Sequence, residues 1–181
     1  MPSRTYHQRK RLRRVFLRFL ADEKFHFFVT LNTNNPMLPD TLRLLFKDWL
    51  ARIDHRAFGK MWSTTESRRR TFAVACMEHL DSNAHMHVLV RLPRKLWELS
   101  KRKIVDLMEL FWETVCISGE LHKITINWGS THRKLRPFIG YTGKKWTNEE
   151  AFSQMMISTE FHHAVGRRRR PVNANLKRTK R

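Results

Sequence analysis

The sequence predicts an α+β domain of the split βαβ, or ferredoxin-like, class, in which a central antiparallel sheet carries helices on one face. Segments with strand and helix patterns follow one another in the order strand, helix, strand, strand, helix, strand. The 181 residues, 41% of them hydrophobic, are enough for one domain with a buried core. In this topology the first and third strands are expected at the centre of the sheet.

The first strand and the first helix have clear local signals. His26 begins a β-prone run over residues 26–31, which ends in an asparagine-rich turn. Asp40 is a suitable N-cap, and apolar residues then recur every three or four positions, so a helix is predicted to continue to about Arg56. Residues 57–70 end in three arginines and are predicted to form a mobile basic loop.

The second half of the domain repeats this alternation of strands and helices. A glycine at position 119 marks the end of the second helix. The predicted elements are strands at 71–80 and 85–92 around a four-residue turn at 81–84, a helix at about 97–118, a strand at 121–128, and helical segments at about 131–146 and 149–161.

Positive charge is concentrated at the two ends of the chain. The net charge of +20 divides into +6 for residues 1–24, +6 for residues 25–166 and +8 for residues 167–181. We therefore predict a basic N-terminal arm or helix, a central domain and a basic flexible tail. Arms of this kind raise affinity for polyanions by releasing counterions, so nucleic acid is the expected partner.

Other sequence features narrow the cellular setting. No apolar run approaches the roughly 18 residues of a membrane helix, and the arginine-rich first 24 residues do not resemble a secretory leader. We expect an intracellular protein, cytoplasmic and nucleoid-associated in a prokaryote or nuclear in a eukaryote or virus. Cys76 and Cys116 lack metal-ligand spacing and are expected to be buried thiols.

A pair of histidines is the strongest candidate for chemistry. His85 and His87 are two residues apart on a predicted strand, so both side chains point to the same face. Across a four-residue turn, Leu80 pairs with His85 and Glu78 with His87, while His79 faces the opposite way. Two imidazoles and a carboxylate suit Mn²⁺ or Mg²⁺. The plainer alternative is that both histidines are polar residues on an exposed sheet face.

A second candidate lies downstream. Tyr141 and Lys144 are three residues apart and share a face if their segment is helical. A tyrosine hydroxyl has a pKa of about 10, so it acts as a nucleophile only on a polarised electrophile with positive charge nearby. A metal on a phosphate and Lys144 would supply these two conditions. The alternative is that Tyr141 is an amphipathic residue at the edge of the core.

Together, three segments resemble the motifs of the HUH endonuclease superfamily, and of its rolling-circle replication initiators in particular. They occur in the family's order: Phe28–Asn32 resembles the first-strand motif, His85–Val90 the two-histidine motif and Phe138–Lys144 the tyrosine motif. Thr142 departs from the pattern, because the initiators usually carry a hydrophobic residue there. The helicase domain of many initiators has no counterpart in these residues.

The resemblance implies metal-dependent nicking and joining of single-stranded DNA. Tyr141 would attack a phosphodiester and form a 5′-phosphotyrosine link as the 3′-hydroxyl leaves. Glu78, His85 and His87 would hold Mn²⁺ or Mg²⁺, and Lys144 would neutralise charge or position the leaving group. The substrate would be an origin hairpin or element end, and a host helicase and polymerase are possible partners. The residues expected to contact DNA are Asn32, Asn34, Arg68, Arg69, Arg70, Lys145, Arg167, Arg168, Arg169 and Arg170.

Two alternative hypotheses for the function stay open. A single-tyrosine transposase or a mobilisation relaxase shares the chemistry, but relaxases place tyrosine near the N-terminus and add a third histidine. Tyr6 lies in the basic arm and His79 has the wrong parity, so both fit that pattern poorly. A reading of another class is a non-catalytic RNA-recognition module, which has the same strand and helix order and would stack bases on Phe27 and Phe28.

Overall fold

The computed structural model describes residues 4–126 and 154–162, which form one five-stranded sheet with α-helices on both of its faces. Short 3₁₀ helices occupy Gly59–Thr64, Ser67–Arg69, Arg94–Leu96 and Ser158–Phe161. The main elements are α1 (Arg4–Asp22), β1 (Phe27–Asn32), α2 (Pro39–Phe58), β2 (Phe72–Glu78), β3 (His85–Arg91), α3 (Lys101–Val115), β4 (Glu120–Ile126) and β5 (Met155–Ile157).

The sheet has the strand order β4-β1-β3-β2-β5, and every neighbouring pair is antiparallel. This confirms the predicted α+β, ferredoxin-like class, with β1 and β3 at the centre. The helical segment predicted at 149–161 is wrong at Met155–Ile157, which add a strand beside β2, whereas Ser158–Phe161 form a 3₁₀ helix. Met156 is buried while its two neighbours are only partly so, the alternation of a half-covered strand. The helix predicted at 131–146 lies outside the described residues.

The larger core lies between one sheet face and the two connecting helices. Met86, Val88 and Val90 of β3 point to this face, as the strand alternation predicted, and they are fully buried. Trp49 of α2 is also buried, and its indole Nε1 donates a hydrogen bond to the Met108 carbonyl of α3 at 2.9 Å. This bond ties the two helices together above the sheet.

The opposite sheet face is partly covered by α1. Leu20 of α1 is buried in a second cluster with Phe28, Val74 and Leu89, which point away from α2 and α3. The prediction of helices on one face therefore holds for the two connecting helices only, because the apolar side of the basic N-terminal helix packs on the other face. Within the described residues, no helix is long and apolar enough to cross a bilayer.

The segment before β2 is more ordered than the predicted basic loop. It contains two 3₁₀ helices, and Arg70 at its end is buried. The Arg70 Nε donates to Asp54 Oδ2 at 2.7 Å, and Asp54 Oδ1 accepts from the backbone N–H and hydroxyl of Thr71 at 2.8 and 2.6 Å. The carboxylate of α2 thus anchors the start of β2.

The β2–β3 hairpin has a register that differs from the predicted one. Glu78 pairs with His85 and Cys76 with His87, so the connection is six residues long, over 79–84, and the predicted Leu80–His85 and Glu78–His87 pairs are wrong. His79 adopts a left-handed conformation with φ of 53° and leaves the strand. The connection instead bonds to the segment after β1: the Thr33 N–H donates to the Ala84 carbonyl, and the Met37 N–H to the Leu80 carbonyl, both at 3.0 Å.

Candidate metal centre

The two histidines and the glutamate meet at one end of the sheet, on the face that α1 covers further along. The register places Asn32, His85 and Glu78 side by side across β1, β3 and β2, with Thr30 and His87 in the next row. All of these side chains point to the same face, because directly paired residues of neighbouring strands do so. The predicted convergence of Glu78 with both histidines is therefore present, in spite of the changed register.

The ligand atoms of these three residues are close together and shielded from solvent. The Nε2 atoms of His85 and His87 each lie 3.7 Å from the same Glu78 oxygen, Oε2. One ligand atom from each residue falls within 4.8 Å of the others. Glu78 is only 7% exposed and His87 9%. A carboxylate is costly to bury without a cationic partner, and a bound ion would balance its charge.

The other ring nitrogens are held by hydrogen bonds. The Nδ1 of His85 lies 3.0 Å from the Asn83 carbonyl. Because a carbonyl oxygen can only accept, this Nδ1 carries the proton and leaves the Nε2 lone pair for a ligand. The Nδ1 of His87 is 3.0 Å from the Thr30 hydroxyl, which can accept in the same way. Metal-binding histidines have this arrangement, in which a second partner fixes the ring and its tautomer.

These distances and atom types fit a divalent cation. Two ligands that each lie about 2.1 Å from a common ion can be at most about 4.2 Å apart, and the 3.7 Å separations are below that limit. The cluster could therefore hold a divalent metal through Glu78, His85 and His87. Imidazole nitrogen with carboxylate oxygen suits several such ions, so the donor set alone does not select one.

Neighbouring rings pack around the histidines. The Phe28 ring stacks on His87 with centroids 5.7 Å apart, and the His79 ring stacks on His85 at 5.2 Å. The expectation that His79 faces away is wrong, because its left-handed backbone removes it from the strand alternation. Cys76, the register partner of His87, is buried as predicted for this thiol.

Three polar residues of this face were not among the predicted site residues. Thr30, which orients His87, lies within the first-strand motif, but only the β1–β3 register shows its partner. Glu120 and His122 extend the same two rows onto β4, with His122 Nε2 2.7 Å from Glu120 Oε2. Their i, i+2 spacing on a predicted strand was a usable signal.

The asparagines predicted to contact DNA have structural partners in the loop after β1. The Asn32 side chain accepts from the Asn34 N–H at 3.1 Å, and the Asn34 side chain donates to the Ser118 carbonyl at 2.8 Å. Asn34 is also left-handed, with φ of 58°, a conformation that asparagine tolerates well. These bonds shape the loop beside the candidate metal centre, and contact with DNA stays a prediction.

The predicted basic contacts divide into three groups. Arg68 and Arg69 are exposed, and Arg68 pairs with Glu66 at 2.8 Å. Arg70 is buried and paired with Asp54, and its contact with DNA stays a prediction. The remaining candidates lie outside the described residues: Tyr141, Lys144, Lys145, Arg167, Arg168, Arg169 and Arg170.

Comparisons of this chain with protein-family models, with curated proteins and with solved structures gave no match.

Proposed function

We propose that this protein is a metal-dependent enzyme that nicks and joins single-stranded DNA through a tyrosine nucleophile, as in the initiation of rolling-circle replication. The convergence of Glu78, His85 and His87 at one shielded point on the sheet carries the proposal. The resemblance of the His85–Val90 and Phe138–Lys144 segments to the HUH motifs specifies the reaction. The positive terminal segments supply the attraction for a polyanionic substrate.

Three side chains would hold the ion, Mn²⁺ or Mg²⁺. When bound, the ion would polarise the scissile phosphate and balance its charge. Glu78 provides the anionic ligand, and both histidines provide neutral Nε2 atoms. The Asn83 carbonyl and the Thr30 hydroxyl keep the rings in place, which lowers the cost of organising the site.

The proposed reaction is a transesterification that uses no ATP. The Tyr141 hydroxyl loses its proton as its oxygen forms a bond to phosphorus, the bond from phosphorus to the 3′-oxygen breaks, and the 3′-oxygen takes up a proton as it leaves. The 5′-phosphate stays linked to Tyr141 until a 3′-hydroxyl attacks it and restores the diester. Lys144 would neutralise negative charge at the phosphate or assist the leaving group.

A transposase or a mobilisation relaxase is the closest alternative, since both perform the same bond exchange. The position of His79, stacked on His85, removes the parity argument against a third histidine. The substrate separates these classes, because an initiator selects an origin hairpin and a transposase selects the ends of its own element.

The alternative of a non-catalytic RNA-recognition module is disfavoured by the position of its expected stacking residues. Phe27 is buried in the core beneath α2 and α3. Phe28 is only 3% exposed and stacks on His87. Such modules present aromatic faces of the central strands to the bases, and neither ring is available in that way.

A covalent-adduct assay tests the proposal. We expect the full chain with labelled single-stranded origin or element-end DNA and Mn²⁺ to form an adduct that survives boiling in detergent. Tyr141→Phe should form none, because it lacks the nucleophilic oxygen. Tyr6→Phe removes the other tyrosine of the chain and is the matched control, which should react normally. Absence of an adduct from the unmodified chain, or an equal adduct from Tyr141→Phe, contradicts the proposal.

The metal ligands allow a second test with the same assay. His87→Ala should abolish the adduct and leave DNA binding nearly unchanged, because the basic segments supply much of the attraction. His55→Ala is the control, since His55 is exposed on α2, away from the histidine face of the sheet. Normal adduct formation by His87→Ala would remove the metal centre from the mechanism.

A further inference from the structure

A second candidate binding site lies at the other end of the sheet. A cleft of about 920 Å³ is formed where the end of β3, the turn after it, the start of β1 and the segment before β2 meet. β3 runs from His85 to Arg91, and Arg91 lines the cleft. Arg91 is four residues from His87 and six from His85, so steps of about 3.4 Å place it about 14 to 20 Å from these two ligands. It is therefore separate from the Glu78, His85 and His87 cluster.

The cleft has an excess of positive charge. Seven cationic and three acidic side chains line it. Arg70 is neutralised by Asp54, and Arg91 lies 3.5 Å from Glu23. Arg68, Arg69, Arg94, Lys95 and Lys24 are exposed. The ion pair of Arg68 with Glu66 is itself largely exposed, so it is weak and can be exchanged for a phosphate.

An aromatic surface stands among these cations. The side chain of Trp97 is 47% exposed although it is one of the largest apolar groups. Its ring packs at right angles to the His26 ring, with centroids 5.0 Å apart, and its Nε1 donates a long hydrogen bond of 3.4 Å to the Leu92 carbonyl. Nearby, the Lys95 ammonium lies 5.3 Å from the centre of the Phe58 ring. A half-exposed indole beside cations is a suitable surface for stacking a base.

A buried histidine, His26, lines the cleft beneath Trp97. His26 is buried, and its Nδ1 accepts a hydrogen bond from the Leu92 N–H at 3.0 Å. Burial, and secondarily the charge of Arg91, lower the pKa of His26 to about 4. The imidazole is therefore neutral at pH 7 and keeps the backbone around Trp97 in place.

We propose that this cleft binds a single-stranded segment of nucleic acid, with phosphates on Arg68, Arg69, Arg94 and Lys95 and a base stacked on Trp97. The inference rests on the proposed function in one respect: it assigns the cleft to the substrate strand at a distance from the scissile phosphate. The site would hold the strand without reading its sequence, because it offers cations and an aromatic face and few groups aimed at base edges.

The test measures binding without metal, so that it does not depend on catalysis. Tyr141→Phe protein in EDTA is titrated into fluorescein-labelled oligothymidylate, and anisotropy gives the affinity at several salt concentrations. In this background, Arg94→Gln/Lys95→Gln should lower the slope of log affinity against log salt by about 1.4, for two lost phosphate contacts. Trp97→Ala should weaken binding by about 5- to 150-fold, and Trp97→Phe should restore part of it.

A control variant that loses the same number of charges tests whether the effect is specific to the cleft. Lys47→Gln/Arg102→Gln removes two exposed cations of α2 and α3 that do not line the cleft, and it should leave the slope within error of the parent protein. Thermal melting curves confirm that each variant is folded. A parallel titration with oligouridylate shows whether the cleft prefers DNA or RNA. Competition with ATP shows whether the ligand is a mononucleotide instead of a strand.

The outcomes separate this inference from the proposed function. If the cleft variants bind as tightly as the control, the cleft is not a nucleic-acid site, whatever the adduct assay shows. The proposal would also be overturned if ATP displaced all of the oligothymidylate at ATP concentrations similar to the dissociation constant of the oligothymidylate. Loss of binding in the cleft variants together with no adduct in any protein would support the cleft and contradict the nuclease.

Discussion

The ring of His87 is held from three sides. The Phe28 ring stacks on it, the Thr30 hydroxyl meets its Nδ1, and the His85 ring approaches it edge to face at 5.1 Å. A side chain held in this way loses little further freedom when it binds an ion. Phe28 and Thr30 of β1 therefore help to orient a candidate metal ligand, His87.

Thr30→Val tests this positioning role. We expect Mn²⁺ affinity to fall by about 10- to 100-fold, because the isosteric valine removes the hydroxyl partner of His87 Nδ1 and keeps its volume. Titration calorimetry with the full chain measures the change. Thr114→Val on α3, which removes an exposed hydroxyl bonded to the Leu110 carbonyl, should bind Mn²⁺ normally. Unchanged affinity in Thr30→Val would mean that Phe28 and His85 alone orient the ring.

Asp54→Asn tests the buried ion pair at the start of β2. The neutral amide cannot balance Arg70, so we expect the free energy of unfolding to fall by about 3–5 kcal/mol. Asp48→Asn on the same helix breaks an exposed pair with Arg52 at 3.5 Å and should cost about 0.5 kcal/mol or less. Urea unfolding followed by circular dichroism measures both. Equal losses in the two variants would show that burial adds nothing to the Asp54–Arg70 pair.

Single residues also show why the Glu78, His85 and His87 cluster could be predicted from sequence. The predicted hairpin register was wrong by two positions, yet Glu78 still shares a face with His85 and His87. Side chains alternate with a period of two, so an error of two residues leaves every side chain on its predicted face. The burial of Arg70 could not be predicted, because its partner Asp54 lies on another element and looks like an ordinary polar residue of α2.

At the level of elements, the turn between α3 and β4 is packed more tightly than a helix end requires. A Cβ on Gly119 would lie 2.6 Å from Trp112 Nε1 and 2.8 Å from both the Cβ and the carbonyl oxygen of Cys116. Trp112 cannot withdraw easily, since its Nε1 donates to the Asn32 carbonyl at 2.8 Å. The sequence indicated a helix stop at Gly119, whereas the stronger constraint is the lack of space.

Gly119→Ala should therefore destabilise the protein by about 1–3 kcal/mol, as overpacked substitutions do. Chemical unfolding measures the loss. Ile117→Ala lies in the same turn and is fully exposed, so it should stay within about 0.5 kcal/mol of the parent. A Gly119→Ala protein as stable as Ile117→Ala would show that the turn relaxes without cost.

The elements of the split βαβ unit were predictable because each has its own apolar period. β1, α2, β2, β3, α3 and β4 all form within a few residues of their predicted positions. The hairpin register failed because residues 79–84 bond to the loop after β1, a long-range contact that no local pattern encodes. The position of α1 on the second sheet face could not be predicted either, because the pattern of an amphipathic helix does not specify which surface it covers.

At the level of the whole molecule, the buried His26 and the partly buried His162 make stability depend on pH. Burial, with Arg91 as the smaller cause, lowers the pKa of His26 to about 4; burial and Arg70 lower that of His162 to about 4, against a smaller opposing effect of Asp54. The unfolded chain takes up these protons near pH 6.5, and the folded protein only near pH 4. The unfolded state therefore binds more protons in this window, and stability falls as the pH falls through it.

His26→Asn isolates one part of this dependence. The asparagine side-chain oxygen can still accept from the Leu92 N–H, and it does not titrate. As the pH is lowered from about 6.5 to 4, we expect the free energy of unfolding to fall more steeply in the parent than in His26→Asn. The difference in slope is up to about 1.4 kcal/mol per pH unit. Urea unfolding at a series of pH values measures both slopes. Parallel curves would show that His26 does not carry the effect.

The two ends of the sheet have different chemistry. One end presents Glu78 with the two histidines, and the other presents an indole among arginines and lysines. In the proposed reaction, a DNA strand that spans both ends would also be bound at a distance from the scissile phosphate. The DNA would then stay bound until the reverse step. The charge distribution is consistent with this proposal, because 14 of the 20 net positive charges lie in the terminal segments and only 6 in residues 25–166.

The three-residue strand β5 has a consequence for biosynthesis. It covers Val74, Ala75 and Cys76 on the outer side of β2, but it is made after all four strands of the split βαβ unit. A nascent chain that has emerged only as far as β4 therefore carries β2 as a bare edge, ready to pair with another polypeptide. Residues 155–157 close that edge when they emerge, so premature termination before this point would produce a chain prone to aggregation.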